Sequence, residues 1–260
     1  IWNLISKNFK KRNINIKRAH DDYLEINFDS PENFDEIFFK TKIGEKYLYK
    51  DFLLEHNLNS HIIEDFNVYI SNVLLKYKKK FYLSKNNNNI LRLEDLSKNF
   101  KESTFIILFR HPIQQAKSLL TQHQNFIKLQ KKDRFNLDYM KFLSHHEFGL
   151  DQKKFQFKDT KKNNSFENSD INYWVDQWVN VYSNMLKISA NNKNVFLINY
   201  ENLCEHPEKI LSPILFKFNI SKNDIKKFKF NKSEKKIYEK IDSNLKKKSL
   251  ELFENLMKNT

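Results

Sequence analysis

The apolar run Thr104–Phe109 constrains the fold more than any other part of this sequence. It is continuously hydrophobic and rich in β-branched and aromatic residues, a pattern typical of a strand buried on both faces of a parallel sheet. Arg110-His111-Pro112 ends the run abruptly, and proline is favoured at the first position of a helix. We therefore predict a strand, a sharp turn and a helix that continues to about Gln130.

A second buried strand is predicted at Asn194–Asn199, directly before Tyr200. Helical spacing of apolar residues separates the two strands and continues on both sides of them. Strands that alternate with helices predict an α/β fold with a doubly wound parallel sheet. Ligands of such sheets bind beyond the carboxyl ends of the strands, which is where Arg110 and Tyr200 would lie.

The length of 260 residues suits one domain, predicted over residues 1–260, with the polar segment 151–170 as a surface loop or lid. The other elements predicted before the first buried strand are a short element around Ile1–Phe9, a helix opened by Pro31, a helix over His61–Lys80 and a strand at Lys80–Ser84. Further helices are predicted over Asn136–His146, around Trp174 and Trp178, from Pro207, and over Ser243–Lys258. We assign both tryptophans to the core.

The formal charge of +14 suggests an anionic partner. Abundant Lys, Asn, Ile, Phe and Tyr also match an A/T-rich coding sequence, so we interpret most lysines as solvated surface. Cys204 is the single cysteine, which excludes a disulfide framework or a cysteine-rich metal site within these residues. No apolar run has the length of a membrane span and no secretory pattern opens the chain, so we expect a cytoplasmic protein.

Arg110 has the position and chemistry of a phosphate ligand. A guanidinium at a strand end can bind phosphate through two parallel hydrogen bonds, and the helix that follows offers backbone N–H groups to the same anion. Ser118 lies eight residues later and shares a helix face with Gln115 and Gln122. The alternative is a surface arginine and a serine without a role. That alternative is favoured for either residue alone, but the phosphate site is favoured when the strand, Arg110, Pro112 and Ser118 are taken together.

The segment Phe105–Ser118 resembles the 3′-phosphate-binding segment of sulfotransferases that use 3′-phosphoadenosine 5′-phosphosulfate. This resemblance implies that Arg110 and Ser118 hold the 3′-phosphate of the donor, with His111 where aspartate is commoner. Val195–Leu203 followed by Pro207 is similar to a second segment of the family, in which Tyr200 matches the tyrosine that contacts adenine. In the alternative reading, Tyr200 is simply a half-buried aromatic residue at a strand end.

The resemblance also implies candidate catalytic residues. Lys85 stands where the family has a lysine beside the phosphosulfate, although the asparagines that follow it supply no base. Ser144–Gly149 resembles a segment of a bacterial subgroup and supplies His146 and Glu147 as proton acceptors. A helix end with solvated histidines is the alternative, and it applies equally to His123. The base is therefore left unassigned.

The family implies one feature that this sequence lacks, a first strand leading into a glycine-rich loop around the 5′-phosphosulfate. Gly44 and Gly149 are the only glycines, and neither has that setting. We expect a P-loop NTPase-like sheet whose first strand and loop precede Ile1, or else a degenerate relative.

The predicted function is sulfuryl transfer from this donor to a hydroxyl or amine acceptor of unknown identity, with no metal, no nucleic-acid partner and no membrane span. The alternatives are a P-loop kinase-like nucleotide-binding enzyme and a basic, non-enzymatic nucleic-acid-binding protein.

Overall fold

The computed structural model describes residues 16–17, 25–26, 34–159, 166–226, 230, 232 and 234–260, and shows a mixed α/β protein with more helix than strand. The element predicted at Ile1–Phe9 and the residue Pro31, predicted to open the next helix, lie outside these residues, whereas the part of that helix from Asp35 onward is described and confirmed. In chain order the elements are β1 Ile16–Lys17, β2 Glu25–Ile26, α1 Asp35–Ile43, a 3₁₀ helix Gly44–Tyr47, β3 Phe52–Leu54, α2 Ser60–Tyr77, a 3₁₀ helix Asn87–Leu91, α3 Leu93–Asn99, β4 Phe105–Phe109, α4 Pro112–Lys132, α5 Arg134–Phe142, β5 Lys154–Gln156, α6 Ile171–Asn191, β6 Val195–Asn199, α7 Tyr200–Glu205, α8 Pro207–Phe216, α9 Lys222–Ile225 and α10 Ser243–Lys258.

The long helices begin where polar side chains cap them. The side chain of Asn59 accepts a hydrogen bond from the backbone N of Ile62 at the start of α2, and Asp242 accepts one from Leu245 at the start of α10. Such caps satisfy backbone donors that have no partner inside the helix. The predicted helices at these places, and those opened by Pro112 and Pro207, are confirmed.

Three local predictions need correction. Lys80–Ser84 forms no strand, and Leu83 projects into solvent. The helix predicted over Asn136–His146 is α5, which ends at Phe142, because Ser144 adopts a positive φ of 58° that a helix cannot contain. The helices α3 and α7 were not predicted. The polar segment 151–170 contains the strand β5, while its residues 160–165 lie outside the described residues.

The described strands form three two-stranded sheets. β1 and β2 are antiparallel, whereas β3 pairs with β5 and β4 pairs with β6 in parallel. In the β4–β6 pair the register runs from Phe105 opposite Val195 to Phe109 opposite Asn199. The α/β class with parallel pairing is therefore confirmed, and a larger P-loop-like sheet stays a prediction.

The prediction that β4 is buried on both faces is wrong for the part of the chain that the structure describes. Ile106 and Leu108 keep 46% and 45% of their surface exposed, while Phe109 is fully buried. In β6, by contrast, Val195, Leu197 and Ile198 are buried. An apolar run as short as β4 does not reveal whether both of its faces are covered.

The chain divides into two compact units. Unit 1 comprises the residues up to Phe52, Ser84–Asn86 and Thr121–Lys154, and unit 2 comprises Leu53–Leu83, Asn87–Leu120 and Phe155–Thr260. The single domain predicted from the sequence remains a prediction.

In unit 1 the buried apolar side chains include Phe39, Tyr47, Leu137 and Leu143, and the ring of Phe126 stacks on that of Phe148. Tyr47 also donates a hydrogen bond of 2.5 Å to Glu36, which is itself buried in the first turn of α1. A hydrogen bond from a phenol to a buried carboxylate offsets part of the free-energy cost of removing that carboxylate from water.

In unit 2 the helices α6 and α10 pack on each other beside the β4–β6 pair. Trp174, Trp178 and Met185 are buried on α6, as predicted for the two tryptophans. Phe109 at the end of β4 makes edge contacts with the rings of Tyr182 and Phe253, at centroid distances of 6.2 and 5.9 Å. These rings contribute apolar burial and a preferred edge-to-face geometry.

Tyr182 joins α6 to the end of β4. Its hydroxyl donates a 2.7 Å hydrogen bond to the carbonyl of Leu108 and accepts a 3.1 Å bond from the side-chain amide of Gln115 on α4. Burial raises the pKa of Tyr182 to about 12, so the phenol is neutral at physiological pH. A neutral phenol can serve as donor and acceptor at once, as this position requires.

We predict that Tyr182→Phe lowers the free energy of unfolding by about 1–3 kcal/mol, because it leaves buried polar groups of Leu108 and Gln115 without this partner. Urea unfolding followed by tryptophan fluorescence measures the change. Tyr238→Phe is the matched control, because the side chain of Tyr238 is exposed, and its loss of a hydroxyl should leave stability unchanged. Equal stability of the Tyr182 variant and the wild type would contradict the role of this hydroxyl.

Candidate functional site

The register of the β4–β6 pair brings Arg110 and Tyr200 together. Phe109 and Asn199 lie opposite each other as the last residues of parallel strands, so the next residue of each strand emerges at the same sheet edge. The guanidinium carbon of Arg110 lies 5.0 Å from the centroid of the Tyr200 ring. This distance allows a cation–π interaction, which holds a flat cation against a flat aromatic face.

Glu201 contacts the same guanidinium. Its Oε1 lies 3.6 Å from Nε of Arg110 and 3.4 Å from the backbone N of His111, which donates to it. Its Oε2 accepts a 2.9 Å hydrogen bond from the side-chain amide of Asn199. The side chains of Arg110 and Glu201 are each 19% exposed, so the ion pair lies at the protein surface but is largely shielded from solvent.

Gln115 fixes the turn that carries Arg110. Its Oε1 accepts hydrogen bonds from the backbone N of Arg110 at 3.2 Å and from the indole N of Trp178 at 3.1 Å. Because α4 begins at Pro112, Gln115 lies in the first turn of the helix and reaches back to the residue before it. The arginine therefore projects from a backbone that is hydrogen-bonded to Gln115 on α4, and the buried Trp178 of α6 holds Gln115 in turn.

His111 contributes an uncharged ring beside this turn. The ring lies 5.4 Å from that of Phe253, and burial lowers the pKa of His111 against the opposing effect of Glu201. The positive charge at this sheet edge therefore comes from Arg110 and not from the histidine.

The structure places the three predicted nucleotide ligands in unit 2. Arg110 and Tyr200 are in contact, and Ser118 is half-buried on α4, within two turns of the start of that helix. Sequence reasoning missed Glu201 and the hydrogen bonds of Gln115 and Trp178. The position of Glu201 directly after Tyr200 was the available signal, since the register that aligns Arg110 with Tyr200 also brings the next side chain close.

The three predicted catalytic residues lie in unit 1. Lys85 is exposed, and both of its neighbours are bonded to buried carboxylates of α1. Ser84 donates a 2.5 Å hydrogen bond to Asp35, and the side-chain amide of Asn86 donates a 2.9 Å bond to Glu36. The backbone is thus held on both sides of Lys85.

His146 is 4% exposed, so the alternative of a solvated histidine is wrong at this position. Its Nδ1 lies 2.8 Å from Oδ2 of Asp151. Burial lowers the pKa of His146, and this effect outweighs the attraction of Asp151. The neutral ring then donates from Nδ1 to the carboxylate, which leaves the lone pair on Nε2.

Glu147 and His123 differ from His146 in their surroundings. An oxygen of Glu147 lies 3.5 Å from Nδ1 of His145. Nδ1 of the buried His123 accepts a 3.1 Å hydrogen bond from the backbone N of Gly149, which has a positive φ of 87°. That bond gives His123 a role in holding the turn at Gly149, where a Cβ would lie 2.2 Å from Gln130.

No group of histidine, cysteine, aspartate and glutamate side chains in the described part of the chain has the arrangement of a metal site. Within the same residues, no helix combines the length and apolarity needed to cross a membrane.

Comparisons with models of protein families, with characterised proteins and with solved structures found no match to this chain.

We predict a pH-dependent stability that arises from His146. Because burial lowers its pKa below that of the unfolded chain, the unfolded state binds a proton more readily, and stability is lost as the pH falls through about 6.5. His146→Gln, which can keep a donor toward Asp151, should reduce the loss of stability between about pH 7.5 and pH 5.5.

Thermal unfolding of the wild type and the His146 variant at both pH values measures this difference. His61→Gln is the matched control, because His61 is an exposed partner of Asp65 and its replacement should leave the pH dependence unchanged. Identical pH profiles of the wild type and the His146 variant would contradict the prediction.

Proposed function

We propose that this protein binds the nucleotide 3′-phosphoadenosine 5′-phosphosulfate and acts as a sulfotransferase. The observation that carries the proposal is the contact between Arg110 and Tyr200 at the carboxyl edge of two parallel strands. The two residues are far apart in the sequence, and the sequence resemblance assigns each of them to the same nucleotide. Their contact supports one shared ligand.

The chemistry of the contact suits an adenosine phosphate. A guanidinium binds phosphate oxygens through charge-assisted hydrogen bonds, and an aromatic ring offers a face or an edge to adenine. The 21-residue helix α4 starts beside Arg110, so the positive end of its dipole also favours an anion there. Ser118 on the same helix adds a hydroxyl donor.

The proposed reaction is a sulfuryl transfer. The bond between sulfur and the bridging oxygen of the donor breaks, and sulfur bonds to a hydroxyl oxygen or an amine nitrogen of the acceptor. The leaving product is adenosine 3′,5′-bisphosphate, and the acceptor proton passes to a base. Lys85, His146 and Glu147 stay predictions for the charge-neutralising and proton-accepting roles. The hydrogen bond between His146 and Asp151 supports the choice of His146, because it leaves Nε2 as a proton acceptor.

The decisive test is the binding of adenosine 3′,5′-bisphosphate. We predict that it raises the thermal midpoint of the protein and that Arg110→Ala weakens its binding at least about tenfold, because a charge-assisted phosphate contact is lost. Titration calorimetry measures the affinity. Arg134→Ala is the matched control, since Arg134 is an exposed residue paired with Asp138 on one face of α5, and it removes the same charge.

Two outcomes would count against the proposal. If the wild type fails to bind the bisphosphate, the nucleotide assignment is wrong. If Arg110→Ala binds as tightly as the wild type, the nucleotide site lies elsewhere. Adenosine 5′-phosphate is the matched ligand, and it should bind more weakly than the bisphosphate because it lacks the 3′-phosphate.

A separate prediction concerns the Tyr200 ring. Tyr200→Phe should keep the affinity for the bisphosphate within about twofold, whereas Tyr200→Ala should weaken it about tenfold, because alanine removes the aromatic surface offered to adenine and to Arg110. Calorimetry on both variants distinguishes the ring from its hydroxyl. Equal losses in the two variants would show that the hydroxyl, and not the ring, is the group that matters.

A further inference from the structure

Glu201 occupies the position of an anion at the candidate nucleotide site. Its Oε1 lies between Nε of Arg110, at 3.6 Å, and the backbone N of His111, at 3.4 Å. These two groups belong to the guanidinium and to the turn that opens α4, which are the features expected to bind a phosphate. A carboxylate oxygen of the protein is thus located where a ligand oxygen would be stabilised.

Asn199 holds this carboxylate in place. Its side-chain amide nitrogen donates to Oε2 of Glu201 at 2.9 Å, while its side-chain oxygen caps α7 by accepting from the backbone N of Asn202 at 2.8 Å. Asn199 is 3% exposed and ends β6 opposite Phe109. Glu201 is therefore anchored from the strand, and its charge lies in the first turn of α7, where the helix dipole favours it.

The carboxylate also offsets the charge that would attract a ligand. Arg110 and Glu201 together carry no net charge, and an anion that approaches Arg110 meets a negative group at contact distance. A small inorganic anion can gain only the interactions with Arg110 and with the donors of α4. A nucleotide gains in addition the aromatic surface of Tyr200, which lies against the same guanidinium.

We infer that Glu201 is a specificity-determining residue, an internal anion that excludes simple inorganic anions such as phosphate from Arg110. The inference rests on the proposed function in naming an adenosine bisphosphate as the ligand that binds despite this carboxylate. The nucleotide either displaces Glu201 from the guanidinium or binds beside it. In both cases Glu201 lowers the affinity for every anion, and the loss is tolerable only for a ligand that also contacts Tyr200.

The test is a charge-removing substitution that should strengthen binding. Glu201→Gln keeps the size of the side chain and removes its charge, so we expect inorganic phosphate to bind about tenfold more tightly and adenosine 3′,5′-bisphosphate about threefold more tightly than to the wild type. Calorimetry and the thermal shift in phosphate measure both ligands. A side chain with only a structural role would give no gain of affinity.

Glu205→Gln is the matched control. Glu205 ends the same helix α7 and pairs with Lys232, so the substitution changes the net charge of the protein by the same amount at an exposed place. It should leave both affinities unchanged. Glu201→Ala is a second variant that should also bind phosphate more tightly, and it keeps the test usable if the glutamine variant does not fold.

The outcomes separate this inference from the proposed function. Unchanged or weaker phosphate binding by folded Glu201 variants overturns the inference, as does an equal gain in the Glu205 variant. If Glu201→Gln gains phosphate affinity while no form of the protein binds the bisphosphate, the role of Glu201 stands and the proposed function fails. If the wild type binds the bisphosphate and the Glu201 variants gain nothing, the reverse holds.

Discussion

The parallel pairing of β4 with β6 is the constraint on which the candidate site depends. Five consecutive residue pairs fix the register, so the chain has no freedom in which side chains emerge together at the carboxyl edge. A slip of one residue would turn every side chain of the shifted strand to the other face and would separate Arg110 from Tyr200. The strand pairing therefore determines which side chains meet at the site, and the chemistry of those side chains determines what the site can bind.

Buried polar side chains hold the carboxyl edge of the β4–β6 pair in place. Gln115, Trp178 and Tyr182 form one hydrogen-bonded group that reaches the backbone of Leu108 and Arg110, so the last residues of β4 are attached to both α4 and α6. Such networks are valuable only when their members are satisfied, because an unpaired polar group in the interior is costly. The arrangement explains how an arginine at a partly exposed turn can have a defined direction.

The sequence predicted the main strands and helices around the candidate site but few of the side-chain contacts within it. Apolar runs and helical spacing located β4, β6, α4 and α10, since burial of one face imposes these periods directly. The partners of Arg110 could not be predicted from the sequence in the same way, because Glu201 becomes its neighbour only through the register of two strands that are distant in the chain. For the same reason, the fixed position of His146 was missed, since its partner Asp151 lies beyond a turn that depends on the positive φ of Gly149. Long-range pairing and left-handed turns leave no periodic trace in a sequence.

Lys85 illustrates how an anchored backbone limits the reach of a long side chain. Ser84 and Asn86 are hydrogen-bonded to Asp35 and Glu36, so the backbone of Lys85 is held on both sides. The ammonium can then act only within the length of its own four methylene groups, roughly 6 Å from a fixed Cα. Any anion that this cation serves must come within that radius, and shortening the stem by even one carbon would shrink the accessible region in every direction.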